Sequence, residues 1–148
     1  MKRGFIELPY LPRDLVGLVL VDKRISQDAY KRLKKLYINI IKTVICSELY
    51  DAVCCHPDMV VTPMGGRLIV VAPNVVGYYG PIFRRLGFDV IEGRTFLERN
   101  YPWNIAYNVC RVGNFLIHNL KYTDESILKI AQEKKLKKIS VPQAYSKC

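Results

Sequence analysis

Apolar residues along this chain gather in short runs that return in a fixed order. Three of them, VGLVLVD (16–22), RLIVVAP (67–73) and NFLIHNL (114–120), are rich in the branched and aromatic side chains that suit a buried strand. After each comes a stretch with apolar positions three and four apart, as at Ile127, Leu128, Ile130 and Ala131, which predicts an amphipathic helix. Ser26, Asn74 and Thr123 stand near the helix starts as residues able to cap free amides. Gly77, Gly80 and Pro81 make the second helix the least regular. A returning strand follows in each case: NIIKTV (39–44), FDVIEG (88–93) and KKISVP (137–142). Before each central strand lies another extended run: FIELPYL (5–11), MVVTPM (59–64) and IAYNVCRV (105–112). Gly65-Gly66 and Gly113-Asn114 supply the positive φ that a tight hairpin turn needs.

The order strand, turn, strand, helix, strand is therefore expected three times, in units of about 5–44, 58–93 and 105–142. Lys34-Lys35-Leu36, Arg84-Arg85-Leu86 and Lys134-Lys135-Leu136 recur at a separation of 50 residues and set the frame of this internal repeat. Connectors at 47–57 and 95–103 end on His56-Pro57 and near Tyr101-Pro102. QAYSKC (143–148) falls where a third connector would begin, so the expectation is a single domain over 1–148 that continues beyond this chain.

Composition changes the picture in a few respects. A chain of 148 residues, half of them apolar, is long enough for one packed core without disulfides. Cys46, Cys54, Cys55, Cys110 and Cys148 are odd in number and lack CxxC spacing, which predicts reduced thiols. Cys54 and Cys55 read as small buried apolar residues. With only His56 and His118 beside them, neither a metal nor another cofactor is expected. The start MKRGFIELPYLPRDL is not a secretory signal and no apolar run is long enough for a bilayer, so a cytoplasmic location without membrane contact is expected. The net charge of +10 permits a polyanionic partner, but the basic clusters 31–35, 83–85 and 134–138 sit at ends of amphipathic segments, where they complement helix C-termini.

A ββαβ unit repeated in this way resembles the pentein or guanidino-modifying-enzyme fold, a five-bladed α/β propeller. HPDM (56–59), IAYN (105–108), IHNLKYTD (117–124) and QAYSKC (143–148) also resemble an uncharacterised bacterial domain family of that fold. The resemblance covers nearly the whole chain and implies about three of five units. It also implies chemistry on guanidino or amidino groups, as in arginine deiminase, dimethylarginine hydrolase and the amidinotransferases. There a cysteine thiolate attacks the guanidinium carbon, a histidine moves protons and carboxylates hold the cation. In those enzymes the nucleophile lies in the last blade. Cys148 ends the third unit, so it departs from that position.

His118, Asp58 and Cys148 are the catalytic candidates; Asn119, Asp124, His56, Asn104 and Lys147 are the substrate-binding ones. His118 and Asn119 end a central strand, where α/β folds present side chains to ligands, and a histidine satisfied by local backbone is the competing reading. Asp124 suits a helix first turn at least as well as a substrate anchor. Asp58 beside His56 forms an acid/base or guanidinium-binding pair, or else an ordinary turn into a strand. Asn104 takes the corresponding place in the next unit. Lys147 would lower the thiol pKa of Cys148, yet a terminal residue lacks a positioned base.

The leading expectation is binding or modification of a guanidino or amidino compound. The alternative is a non-catalytic binding or assembly module, with nucleic acid as the polyanion to try, although no nucleic-acid motif is present. Exposed blade edges would favour a homo-oligomer.

Overall fold

The computed structural model describes residues 5–7, 18–21, 25–36, 39–42, 57–98, 105–119 and 121–142. Nine strands are described: β1 (Phe5–Glu7), β2 (Leu18–Val21), β3 (Asn39–Lys42), β4 (Val61–Gly65), β5 (Leu68–Val71), β6 (Asp89–Glu92), β7 (Cys110–Val112), β8 (Phe115–Asn119) and β9 (Lys137–Val141). The helices are α1 (Gln27–Leu36), α2 (Pro73–Arg85) and α3 (Glu125–Glu133), and a 3-10 turn spans Pro57–Met59.

The strands form three separate three-stranded sheets, β1-β2-β3, β4-β5-β6 and β7-β8-β9. Each has an antiparallel hairpin pair followed by a parallel pair, and a helix makes the crossover that parallel pairing requires. The parallel registers correspond: Leu18 faces Asn39, Leu68 faces Asp89, and Phe115 faces Lys137. The central strand of every sheet is one of the three apolar runs. Gly65, Gly66 and Gly113 adopt positive φ of 91°, 61° and 56° at the two predicted hairpin turns.

Helix α2 is regular despite its composition. Pro73 sits at its start, where no amide donor is needed, and Val75, Tyr79 and Phe83 form a buried stripe at four-residue spacing. Pro81 removes a donor from the Gly77 carbonyl, but both residues are exposed, so water takes its place. Helices α2 and α3 end in the same motif. The amides of Phe88 and Leu136 donate to the Phe83 and Ala131 carbonyls, and those of Gly87 and Lys135 donate to Arg84 and Gln132. This Schellman arrangement needs a left-handed residue, filled by Gly87 at φ 85° and by Lys135 at φ 55°. A Cβ in that region costs about 1 kcal/mol. Lys135→Gly should therefore raise thermal stability, by about 0.5 kcal/mol after the entropy of glycine is counted. A melt showing no rise would mean that Lys135 is not held left-handed in solution.

Three details differ from the sequence expectation. Asp124, not Thr123, caps α3, and α2 begins behind Ala72 with the Asn74 side chain turned elsewhere. Residues 105–107 form a short turn, leaving only 110–112 of the run IAYNVCRV as strand. The basic triplets also fall out of step: Leu86 closes α2, whereas Leu136 lies two residues past Lys134, which closes α3. Structurally, Leu136 matches Phe88. The triplets do share exposed basic helix ends at Lys34, Lys35, Arg84, Arg85, Lys134 and Lys135. Among the described residues, no helix is long and apolar enough to cross a membrane.

The second and third sheets share a core that includes Val60, Ile69, Val70, Tyr79, Phe83, Tyr107, Leu116 and Ile127. Helix α3 and strand β7 both approach β4, and β1 approaches the turn at Pro57–Met59.

Candidate functional site

The segment after β6, residues 93–98, has no regular structure, yet the helix starts on either side hold it. From α2, Asn74 donates its side-chain amide to the Leu97 carbonyl at 3.0 Å and accepts from the Leu97 amide at 2.7 Å. From α3, Asp124 Oδ2 accepts from the amides of Arg94 at 2.9 Å and Thr95 at 2.6 Å. Its Oδ1 accepts from Ser126 at 2.9 Å, which is the helix cap. The Tyr107 hydroxyl lies 2.7 Å from the Thr95 carbonyl and 3.2 Å from Asp124 Oδ2. Its single proton goes to the nearer acceptor. Gly93 makes this approach possible, because a Cβ there would overlap the hydroxyl and sit 2.5 Å from Cε1 of Tyr107.

Burial alone would push the Asp124 carboxyl up, but hydrogen bonds from Thr95, Ser126 and Arg94 outweigh it and hold the carboxyl below its ordinary value. Burial, followed by the neighbouring Asp124 charge, pushes the Tyr107 phenol well above its ordinary value and keeps it neutral. The carboxylate is 1% exposed and surrounded by its own donors. Its place in the molecule is thus a helix cap and a fastener for residues 94–95, without a face open to a ligand.

His118 is buried at the end of β8. Its Nδ1 lies 3.0 Å from the Asn119 carbonyl and 3.4 Å from Thr123 Oγ1, and its Nε2 lies 3.2 Å from Ser140 Oγ on β9. With the Nδ1 proton on the Asn119 carbonyl, Nε2 is an acceptor for the exposed Ser140 hydroxyl. The imidazole can pass a proton through that hydroxyl to the surface. The Asn119 side chain instead closes a local turn, accepting from the amides of Lys121 at 3.0 Å and Tyr122 at 3.2 Å.

Asp58 is exposed in the 3-10 turn before β4. Asn108 Nδ2 reaches its Oδ2 at 3.5 Å and Met59 Sδ at the same distance. Since β1 approaches this turn as well, the carboxylate stands where parts of all three sheet segments meet. His118 and Asp58 occupy different elements, and no hydrogen bond links them. His56, Asn104, Lys147 and Cys148 lie outside the described residues. Among the described residues, no group of three His, Cys, Asp or Glu side chains could hold a metal ion. Tyr107, Asn74, Asn108 and Ser140 were missed as polar partners. The motif IAYN contains two of them, but their partners are distant in sequence.

Residues 20–148 match a family described as a family of unknown function, DUF6873. No curated protein matches. Among solved structures, the N-terminal domain of ArgZ is similar with a TM-score of 0.60 and 16% identity, covering 95% of this chain and 48% of that one. ArgZ is described as an arginine dihydrolase from the ornithine–ammonia cycle in cyanobacteria. SxtG, an amidinotransferase from Microseira wollei, gives 0.58 and 16% over 84% of this chain and 37% of its own. The inosamine-phosphate amidinotransferase StrB1 from Streptomyces griseus gives 0.55 and 14% over the same shares. The chain spans less than half the length of each of these proteins. These likenesses establish a pentein, amidinotransferase-like fold.

Proposed function

The chain belongs to the DUF6873 family of unknown function, and from that premise we propose that the protein binds or modifies a guanidino or amidino compound as a relative of arginine hydrolases and amidinotransferases. The observation that carries this reading is the fold shared with three proteins whose own descriptions name arginine dihydrolase or amidinotransferase chemistry. In this reading the three sheets are three units of a five-unit propeller. Asp58 supplies the exposed carboxylate, because a planar cation with paired N–H donors suits a carboxylate in a two-point contact. His118 moves the proton, using Ser140 as its outlet. Cys148 stays the nucleophile candidate, with Lys147 as its activating charge and His56 and Asn104 beside the substrate.

Incubation with arginine, methylated arginines and agmatine tests the proposal by product analysis and thermal shift. A ligand at ten times its Kd should add about 1.4 kcal/mol to the unfolding free energy. Asp58→Ala should abolish the shift without lowering the melting temperature of the free protein, since the residue is exposed. Neither product nor shift with any of the compounds would remove the substrate class. A shift that survives in Asp58→Ala would remove Asp58 from the site.

A further inference from the structure

Corresponding faces of the second and third sheets have different fates. In the second sheet, Thr62 pairs with Val70 on the face turned away from Ile69 and Val71. Both are buried, at 1% and 0% exposure, and the Thr62 hydroxyl donates to the Tyr107 carbonyl of the following segment. The cover consists of the turn around Ala106-Tyr107 together with α3, which lies against β4.

In the third sheet the same register places belong to Cys110, paired with Ile117, and to Phe115, paired with Val112 and Lys137. Here Cys110 is exposed, Val112 is 56% exposed and Phe115 is 42% exposed. Ile139 and Val141 extend the apolar surface on β9 at 43% and 41%. Ile91, the register match of Ile139, is itself 39% exposed, so the part that differs between the two sheets is the β7–β8 pair. A bare apolar face of this kind marks an interaction surface.

Helix α1 shows the complementary condition. Helices α2 and α3 each bury several residues, whereas Ala29, Tyr30 and Leu33, spaced along one side of α1, are only half-buried. None of the residues 25–35 is fully buried. It is the first helix in the chain, and no sheet precedes it to receive that side.

We propose that the β7–β8 face of one copy receives α1 of a second copy, repeating between molecules the contact that α3 makes with β4 within one. The contact is heterologous, since the two surfaces differ, so it builds closed rings or longer chains of copies. Each copy carries a net charge of +10, and Lys137 lies over the Phe115 ring at 5.6 Å, on the docking face. Repulsion between copies is screened by salt, so association strengthens as sodium chloride is raised.

Sedimentation and light scattering of the 148-residue chain over a range of concentrations test this. The wild type should exceed the monomer mass of 17.1 kDa as concentration and salt rise. Phe115→Lys and Leu33→Lys should each weaken self-association at least ten-fold, while Tyr78→Lys, exposed on α2, should not. Mixing the two impaired variants should restore a 1:1 complex, because each keeps one intact surface. Alkylation of wild-type Cys110, followed by peptide mapping, should slow as the protein is concentrated; this readout needs no variant to fold. A wild type that stays monomeric, variants that associate unchanged, a mixture of folded variants that does not pair, or Cys110 alkylation independent of concentration would each overturn the proposal.

Discussion

Gly93→Ala should lower the unfolding free energy by about 3 kcal/mol, combining the strain of overpacking with a lost hydrogen bond. For a chain of this size that is a fall of about 9 °C in melting temperature. The new methyl group would meet the Tyr107 ring at both the hydroxyl and Cε1. To make room the ring must move, and its bond to the Thr95 carbonyl goes with it. Tyr107→Phe alone should cost about 1 kcal/mol, since the hydroxyl proton loses its acceptor. Phenylalanine removes the closer obstacle but keeps the ring carbon. The double variant should thus be destabilised by about 1 kcal/mol less than the sum of the two singles. Strict additivity in urea denaturation would mean that Gly93 acts through something other than this tyrosine.

The second large effect is expected at Asp124. Asp124→Ala strands the amides of Arg94, Thr95 and Ser126 at once, for a cost of about 3 kcal/mol near neutral pH. Asp124→Asn keeps one side-chain acceptor and should cost about half as much. Acid separates the charge from the shape. Because the folded state holds this carboxyl below its unfolded value, the charged form's stabilisation is fully present above about pH 4. It is lost as the pH falls from there through the lower folded value. The stability gap between wild type and Asp124→Asn should therefore narrow on acidification. A gap that holds constant between neutral and strongly acid pH would show that the negative charge contributes nothing.

Much of the architecture was legible because its signals are local. Branched apolar runs mark β2, β5 and β8, and paired small residues mark the hairpin turns, whatever surrounds them. The caps were harder. Thr123 and Asp124 are adjacent and both are cap formers; the threonine hydroxyl goes to the Asn119 carbonyl, which leaves the cap to the carboxylate. Asn74 is a cap former in the right neighbourhood, but its amide matches the Leu97 backbone in both directions, and no local pattern encodes a partner 23 residues away. The basic triplets gave the number of helices and misplaced their ends, since charge recurs at helix termini without fixing which residue turns left-handed. For the site, His118 and Asp58 were named from residue type and position. Ser140 and Asn108, which touch them, could be found only once β8 lay beside β9 and the second segment beside the third.

The fastening of residues 94–97 from both sides bears on how the chain comes apart. Asn74 belongs to the second sheet's crossover and Asp124 to the third's, and both grip the same stretch of backbone. Neither sheet can open without surrendering bonds that the other needs. The two behave as one foldon, and sub-global opening confined to either is suppressed. An irregular loop, rather than a shared strand, is what makes their unfolding cooperative.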